Sequence, residues 1–377
     1  MNKPFRLVIC GNYGATNLGD EAILQSILTM VERTHVPTHI TVMSANPQAT
    51  TQTYGCESVY FVPAGVKSLM RGVFRGELRK TLQAIKHCDG FILGGGGLFN
   101  GDHPRAIMIW FLQAWAAMRY RKPLFCLGQS VGPLKQGWAR TLVKKIFRAA
   151  HIITVRDEGS KNLLQSLRIT NVQVLADPVF ALTVAHSMPS ENQEYVVFSV
   201  RPWNQAHAEK NYETLAHFMD YLFEKHELRS LLVPFQTFHD DDVKVLAHIE
   251  SKVRHSEAVQ FYPYSEKPEE ILPIIANAKA VVGMRLHSLI FATLTHTPFI
   301  ALSYSQKVAE MVRLLDLEFS LLSWENFTFE DLVHQFESLK HQDTHLRQKL
   351  AQKATLMQAQ AEKHVELLKH FMLPKTV

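Results

Sequence analysis

Short apolar runs of strand length alternate with longer amphipathic segments along most of the chain. In the first half, the apolar runs are residues 6–10, 39–43, 58–62, 90–93, 123–127, 152–155 and 172–175. The segments between them, such as residues 21–33, 73–87 and 137–149, have the length and pattern of helices. This alternation predicts a parallel sheet that is covered by helices on both faces.

The same alternation restarts after the polar segment 183–194, which we interpret as a linker. The second set of apolar runs comprises residues 195–200, 230–234, 259–261, 280–282 and 299–302. The sequence therefore predicts an α/β protein with two Rossmann-like domains facing a cleft, residues 1–185 and 186–340. Residues 341–377 carry one apolar stripe at three- and four-residue steps, which predicts a long C-terminal helix packing on the body.

The composition is that of an ordinary globular protein, with 46% apolar and 20% charged residues among 377. The net charge of +5 is spread along the chain, which argues against nucleic-acid binding and fits anionic small substrates or an anionic membrane surface. The four cysteines lack metal-type spacing, so we expect a reducing compartment and no disulfides. No apolar run resembles a signal peptide or reaches membrane-spanning length, and we expect a cytoplasmic protein.

The segment 281–288, Val-Val-Gly-Met-Arg-Leu-His-Ser, ends an apolar run with Arg285 and His287. A charged pair at the end of a buried strand faces the crevice in which α/β proteins bind ligands. Arginine offers a cationic fork to phosphate or carboxylate, and histidine exchanges a proton near neutral pH. The alternative is structural, with the arginine at a helix end and the histidine satisfied in the core.

Two glycine-rich segments follow strands of the first half. In residues 11–21 the glycine spacing is too loose for a dinucleotide fingerprint, so NAD binding is not supported. Gly14, Asn17 and Asp20 are substrate-binding candidates there, and a tight strand-to-helix turn is the alternative. The second segment is the run of four glycines at 94–97, whose amides can surround an anion or admit a sugar. Its candidates are Gly95 and Gly96, with the nearby polar residues Asn100, Asp102 and His103; a flexible surface loop is the alternative.

Other polar residues also follow strands, and they are Gln129, Arg156, Arg201 and Lys307. Each alone could be a surface charge or a helix cap. Because the carboxyl ends of parallel strands lie on one side of a sheet, we expect these residues to converge on an anionic ligand. Residues 239–242, His-Asp-Asp-Asp, precede a helix, and we interpret them as a cap with an acidic first turn rather than a metal cluster. We expect no bound metal.

Together these segments resemble the polysaccharide pyruvyl transferase family, particularly its branch that modifies bacterial cell-wall polymers. The resemblance extends over nearly the whole chain, through residues 11–21, 94–97, 128–133, 156–158, 177–178 and, most specifically, 283–287. It implies a GT-B-like fold in which the first domain takes the acceptor and the second takes the donor.

The resemblance also implies a reaction. Pyruvate passes from phosphoenolpyruvate, with no other cofactor, to a sugar as a 4,6-ketal; in the cell-wall branch the acceptor is N-acetylmannosamine of a lipid-linked intermediate. The ketal there helps to retain surface-layer proteins. Arg285, Arg156 and Lys307 are the candidate ligands for the phosphate and carboxylate of the donor. His287 is the candidate acid or base.

Two other functions are compatible with the sequence. A nucleotide-sugar glycosyltransferase of the same fold would stack a ring on an aromatic residue of the second half, such as Trp203 or Tyr304. A non-catalytic protein that binds sugar polymers would keep its function without His287.

A lipid-linked acceptor would require transient contact with the inner face of the membrane. Residues 67–79 interleave four basic with four apolar side chains: Lys67, Arg71, Arg75, Arg79, Leu69, Met70, Val73 and Phe74. Such a segment can lie at the boundary of lipid headgroups and attract anionic lipid. The alternative is an amphipathic helix that packs its apolar face on the sheet and exposes a basic face.

Overall fold

A computed structural model describes residues 3–101, 104–184, 194–203, 208–238 and 241–373. The chain forms two compact units. The first comprises Met1–Ala15, Asp20–Leu182 and Met357–Val377, and the second comprises Thr16–Gly19 and Thr183–Leu356. Each unit is built on one parallel sheet with helices, so the predicted two-domain α/β class is confirmed. Within the described ranges, every helix is too short or too polar to cross a lipid bilayer.

The sheet of the first unit has strand order β3-β2-β1-β4-β6-β7-β8, with β5 paired to β6. Its strands are β1 (Phe5–Cys10), β2 (Thr38–Ser44), β3 (Glu57–Tyr60), β4 (Gly90–Leu93), β5 (Gly96–Phe99), β6 (Leu124–Val131), β7 (Ile152–Val155) and β8 (Gln173–Val174). Its helices are α1 (Leu18–Arg33), α2 (Pro47–Tyr54), α3 (Val66–Phe74), α4 (Glu77–His87), α5 (Pro104–Arg119), α6 (Gly137–Ala149) and α7 (Glu158–Ser166).

The core of the first unit surrounds its central strands. Every residue of β4 and β6 is buried, as expected for strands that carry helices on both faces. On one face, the rings of Phe99 and Phe147 pack edge to face with their centroids 5.4 Å apart. The parallel pairing brings the carboxyl ends of β1, β4, β6 and β7 to one edge of the sheet.

The sheet of the second unit has strand order β11-β10-β9-β12-β13-β14. Its strands are β9 (Tyr195–Ser199), β10 (Arg229–Leu232), β11 (Val259–Phe261), β12 (Ala280–Gly283), β13 (Phe299–Ser303) and β14 (Leu321–Ser323). Its helices are α8 (Ala208–His226), α9 (Asp242–Glu250), α10 (Pro268–Ala276), α11 (Leu286–Leu294), α12 (Gln306–Leu314) and α13 (Phe329–His341). The neighbouring strands β9, β12 and β13 are almost fully buried, and their carboxyl ends lie side by side.

One helix, α14 (Asp343–Met372), contributes to both units, because the division falls between Leu356 and Met357. Its predicted apolar stripe is buried along its length: Leu346, Leu350 and Ala354 in the second unit, then Ala361, Val365 and Leu368 in the first. The stripe therefore supplies core residues to each unit in turn.

The region before β4 differs from the prediction. The sequence predicts one helix over residues 73–87, whereas the structure has α3 and α4. Gly76 adopts a left-handed φ of +69°, which ends α3, and its amide donates to the carbonyl of Val73. The elements α2, β5 and β14 are not predicted from the sequence pattern, because each is short or rich in glycine or polar residues.

His364 on α14 is fully buried in the first unit. Its Nδ1 lies 3.0 Å from the carbonyl oxygen of Ala361, and its Nε2 lies 3.2 Å from Thr154 Oγ1. That hydroxyl also accepts from the backbone amide of Gly128 at 2.7 Å. Since a carbonyl only accepts, Nδ1 carries the proton and Nε2 accepts from Thr154. Burial lowers the pKa of His364 to about 4.

This burial predicts a pH dependence of stability. His364 has a pKa of about 6.5 in the unfolded chain and about 4 in the folded one. Across this window the unfolded chain binds more protons, so the free energy of unfolding should fall as pH falls. His364→Gln should show a shallower fall in urea unfolding, whereas His334→Gln, at an exposed histidine of α13, should match the wild type. The same slope in all three proteins would contradict the prediction.

Candidate functional site

The carboxyl edge of the second sheet holds most of the charged candidates. Arg201 follows β9, Arg285 follows β12, and Lys307 lies in the first turn of α12 after β13. Because these strands are neighbours about 4.8 Å apart, residues that follow them lie within reach of one ligand. The helices α11 and α12 begin at the same edge, and helix N-termini favour anions.

A buried ion pair lies at the centre of this edge. Arg285 donates from Nε and Nη2 to the two carboxylate oxygens of Asp242, at 3.1 and 2.5 Å. Asp242 is fully buried and Arg285 is 9% exposed. Burial raises the pKa of Asp242, and the charge of Arg285 opposes this shift. The predicted anion ligand Arg285 is thus already paired with a carboxylate of its own unit.

The same ion pair fixes the loop that follows β10. Asp242 Oδ2 accepts from the backbone amides of Phe235 and Gln236, at 3.0 and 3.1 Å. Arg285 Nη1 donates to the side-chain oxygen of Gln236 at 3.0 Å. The guanidinium and the carboxylate therefore hold two loops of the unit in one network.

The segment Thr16–Gly19 joins this network. Asn17 Nδ2 donates to Gln236 Oε1 at 3.2 Å, and the amide of Leu18 donates to the carbonyl of Phe235 at 2.9 Å. Asn17 Oδ1 accepts from the amide of Gly19 at 3.0 Å. The candidate Asn17 consequently lies in the second unit and supports the loop beside Arg285.

His287 lies on the first turn of α11 and is half-buried. A Cβ at Gly19 would lie 2.0 Å from His287 Nδ1, so any larger residue at position 19 would displace the imidazole. Ser288 Oγ donates to the carbonyl of Arg285 at 2.6 Å and holds the turn that carries the histidine. The position of the imidazole thus depends on both the turn and Gly19.

Arg201 lies in an aromatic setting. Its Nη1 donates to the hydroxyl of Tyr304 at 2.9 Å, and its guanidinium carbon lies 4.9 and 5.5 Å from the ring centroids of Tyr304 and Trp203. The two rings lie 4.7 Å apart. The rings orient the guanidinium by cation–π contact and leave it partly exposed at the carboxyl edge.

The candidate arginine of the first unit is also paired. Arg156 Nη1 lies 2.5 Å from Asp177 Oδ2, and Nε donates to Ser130 Oγ at 3.0 Å. The side chains of the pair are 9% and 5% exposed. Ser130 in turn donates to Asp157 Oδ2 at 2.5 Å, so this network joins the ends of β6 and β7.

The run of four glycines is packed rather than loose, so the alternative of a flexible surface loop is wrong. Gly94, Gly95 and Gly96 are buried, and Gly96 begins β5. A Cβ at Gly94 would lie 2.0 Å from the hydroxyl of Tyr13, which requires glycine there. The candidate Gln129 is fully buried, and its Nε2 donates to the carbonyls of Leu93 and Gly94. Gln129 thus holds the start of the run in place.

The first glycine-rich segment uses its polar groups internally. The amide of Gly14 donates to Glu21 Oε1 at 2.7 Å, and Asp20 Oδ2 accepts from Asn12 Nδ2 at 2.8 Å. Gly14 has a φ of +67°, which suits a tight turn. These contacts fit the structural alternative, and the roles of Gly14 and Asp20 in substrate binding stay predictions.

The structure divides the candidates between two sheet edges. Arg201, Arg285, His287, Lys307 and Asn17 belong to the second unit. The first unit holds Gly14, Asp20, Gly95, Gly96, Gln129 and Arg156. The candidates Asp102 and His103, and the residues His239 and Asp240 of the acidic segment, lie outside the described residues. Among described side chains, no group of three or more His, Cys, Asp or Glu is placed to hold a metal ion.

Asp242, Gln236 and Gly19 shape the candidate site, although the sequence pattern alone indicates no site role for them. Asp242 was interpreted as part of a helix cap, and it does lie in the first turn of α9. Its position after the end of β10 was the available signal, because a carboxylate at the carboxyl edge of a sheet lies near the arginines there.

The two parallel sheets and their helices define a two-domain α/β protein of the GT-B type. A putative UDP-N-acetylglucosamine 2-epimerase from Listeria monocytogenes is similar, with a TM-score of 0.65, 11% identity, and coverage of 98% of this chain and 97% of that one. A UDP-GlcNAc 2-epimerase from Neisseria meningitidis, bound to UDP-GlcNAc, has a TM-score of 0.63 at 12% identity, covering 97% and 99% of the two chains. At such identities the likeness shows the fold alone.

The family follows from the sequence. Residues 17–306 match the family described as polysaccharide pyruvyl transferase, and the chain belongs to this family of transferases. The Amylovoran biosynthesis protein AmsJ of Erwinia amylovora is a distant relative, 20% identical in an alignment that covers 83% of this chain and 86% of AmsJ. The family predicted from the sequence is therefore confirmed.

The central ion pair predicts a large difference between two adjacent aspartates. Asp242→Asn would leave the buried charge of Arg285 without its carboxylate and should lower the free energy of unfolding by about 3–5 kcal/mol. Asp241→Asn removes only a contact 3.2 Å from the exposed Lys244 and should cost less than about 1 kcal/mol. Denaturant unfolding of both variants tests this, and equal small losses would show that the pair does not hold the loops together.

Proposed function

We propose that the protein transfers pyruvate from phosphoenolpyruvate to a sugar of a cell-surface polysaccharide precursor and forms a 4,6-ketal. We further propose that the acceptor is N-acetylmannosamine of a lipid-linked intermediate, as in the branch of the family that anchors surface-layer proteins. The reaction would take place in the cytoplasm, at the inner face of the membrane. Membership of the family supports pyruvylation of a polysaccharide in general.

The observation that carries the proposal is the cationic carboxyl edge of the second unit. Arg201 and Lys307 lie there beside the N-termini of α11 and α12. Phosphoenolpyruvate carries a phosphate and a carboxylate on three carbons, so a compact set of cations and helix amides suits it. We assign the donor to this unit, with Arg201 and Lys307 as its ligands.

The contacts of Arg285 change the role that we propose for it. All three of its guanidinium nitrogens donate to Asp242 or Gln236. We infer that Arg285 positions the turn that carries His287 and adds positive potential behind the donor, rather than binding it through a free fork. His287 is then the acid or base that touches the reacting atoms.

In the proposed reaction, protons move among the two sugar hydroxyls, carbon 3 of the donor and the departing phosphate. One proton adds to carbon 3 of phosphoenolpyruvate, and carbon 2 becomes an electrophile that a sugar hydroxyl attacks. The bond from carbon 2 to the phosphate oxygen breaks, and a neighbouring hydroxyl closes the ketal. The two hydroxyl protons replace the one taken up at carbon 3 and protonate the departing phosphate. His287 carries out one of these proton transfers, and the cations stabilise the leaving phosphate.

We assign the acceptor to the first unit. The carboxyl ends of β1, β4 and β6 bring together Gly14, Asp20, Gly95 and Gly96, where close approach of a sugar needs small residues. Gln129 is buried and supports the glycine run from behind. Arg156 is paired with Asp177. We therefore expect it to shape the acceptor-binding edge of the sheet rather than to bind the acceptor by its charge.

One observation favours a second candidate, a glycosyltransferase that uses a nucleotide-sugar donor. Trp203 and Tyr304 form an aromatic pair at the carboxyl edge of the second unit, where a base could stack. Arg201 lies against both rings, and we favour the smaller donor because this guanidinium already occupies the stacking faces. An assay of inhibition by UDP, compared with that by phosphoenolpyruvate, separates the two candidates. A glycosyltransferase should be inhibited by UDP, and a pyruvyl transferase should not.

The function is tested by phosphate release from phosphoenolpyruvate with a lipid-linked amino-sugar disaccharide. Wild-type protein should release phosphate only when acceptor is present, and excess chelator should leave the rate unchanged. His287→Gln should lower turnover by about 10²–10⁴-fold, because it removes the proton transfer. His334→Gln, at an exposed histidine, is the matched control. Turnover of His287→Gln near that of the control would remove His287 from the mechanism. Absence of phosphate release with every acceptor tested would refute phosphoenolpyruvate as the donor.

The donor assignment is tested at Arg201. Arg201→Lys keeps the charge but loses the planar fork and its contact with Tyr304, so the KM for phosphoenolpyruvate should rise by about tenfold. Arg229→Lys, at an exposed arginine of β10, should change neither KM. If Arg201→Lys raises only the KM for the acceptor, the donor does not bind at this edge.

A further inference from the structure

The helix α3 of the first unit presents large apolar side chains to solvent. Val66 is 75% exposed, Val73 is 59% exposed and Phe74 is 83% exposed. Leu69 and Met70 are also exposed, so five large apolar residues of one nine-residue helix face water. Scattered apolar residues are normal on a protein surface, whereas such a cluster marks an interaction site.

The orientation of α3 is the reverse of an ordinary surface helix. Its small residues face inward: Gly72 is buried and would place a Cβ 3.3 Å from Pro63, and Ser68 is half-buried and donates to the carbonyl of Gly65. The alternative in which the apolar face of this segment packs on the sheet is therefore wrong. The large apolar residues of this segment lie on the outer face of α3.

A cavity of about 770 Å³ opens beside α3. Its wall is largely apolar and includes Phe61, Val62, Leu78, Met108 and Ile109. Two basic residues, Arg75 and Arg105, and one acidic residue, Glu77, also line it, and Glu77 Oε1 lies 3.9 Å from Arg75 Nη1. The apolar surface of the helix thus continues into an apolar recess with cations beside it.

The charge of the segment indicates what covers it. Residues 66–80 contain five basic residues and one acidic residue, Glu77. Lys67, Arg75, Arg79 and Lys80 are exposed, while the side chain of Arg71 lies outside the described part of the structure. Apolar side chains interleaved with cations suit a surface that is anionic outside and hydrocarbon within, which is the chemistry of an anionic bilayer.

We propose that α3, with its flanking basic residues and the adjacent cavity, docks the protein on anionic lipid bilayers. The apolar side chains enter the boundary between headgroups and acyl chains, the cations bind lipid phosphates, and the cavity receives hydrocarbon. This proposal needs no donor or acceptor, so its failure and that of the proposed reaction are distinguishable.

The test is co-sedimentation of the full chain with vesicles of phosphatidylcholine alone or mixed with phosphatidylglycerol. Binding should require the anionic lipid and should weaken as salt rises. Met70→Ser with Phe74→Ser should lower the partition coefficient at least about tenfold, since both apolar side chains leave the interface. The matched control is Leu314→Ser with Leu356→Ser, at leucines that are 50% and 56% exposed outside α3.

A second pair of variants tests the charges. Arg75→Glu with Arg79→Glu should abolish binding to anionic vesicles. Arg148→Glu with Lys363→Glu makes the same change in net charge at exposed positions of α6 and α14. This control pair should retain most of the binding to anionic vesicles. All four variants alter exposed residues, and circular dichroism should show an unchanged fold.

Three results would overturn the proposal. The wild type could fail to bind anionic vesicles, or the control pairs could lose as much binding as the α3 pairs. In the third result, the wild type would not bind vesicles, and sedimentation equilibrium would show that it is a dimer which the α3 variants convert to monomer. The helix α3 would then be an interface between two copies of the chain.

Discussion

The second unit depends on one buried ion pair, between Arg285 and Asp242. Burying a carboxylate without a partner costs desolvation free energy. Here two guanidinium nitrogens and two backbone amides donate hydrogen bonds to Asp242 and offset that cost. Through these contacts the pair connects the end of β12, the loop after β10 and the first turn of α9. The loop then holds Asn17, and the turn after Arg285 holds His287. Removing either Arg285 or Asp242 would leave the other as a buried charge without its counter-ion.

In the proposed reaction, this arrangement separates His287, the proposed acid or base, from the groups that position it. The position of the imidazole of His287 is limited by Gly19 on one side and by the turn of α11 on the other. Arg201 is oriented by contacts with two aromatic rings, Trp203 and Tyr304. Arg285, which Asp242 holds, and Arg201, which aromatic rings orient, therefore have different surroundings, although both are arginines that follow strands.

The sequence allowed the two sheets to be predicted because their strands are buried on both faces and read as unbroken apolar runs, as at 90–93 and 280–282. The polar residues after those strands could be placed at the sheet edges for the same reason. Their partners could not be predicted: Asp242 lies 43 residues from Arg285, and only the fold sets which carboxylate meets which guanidinium. The break at Gly76 and the strand β5 were missed because glycine permits both a turn and an extended conformation.

The helix α14 has a consequence for how this chain is made. Its last part, from Met357 onward, belongs to the unit that the chain begins at its N-terminus. During synthesis the segment Met357–Val377 of the first unit therefore leaves the ribosome after the whole of the second unit. Neither unit is a continuous piece of the gene, since the second also includes Thr16–Gly19. A chimera with a relative would have to exchange the short early segment and the first half of α14 along with the obvious domain.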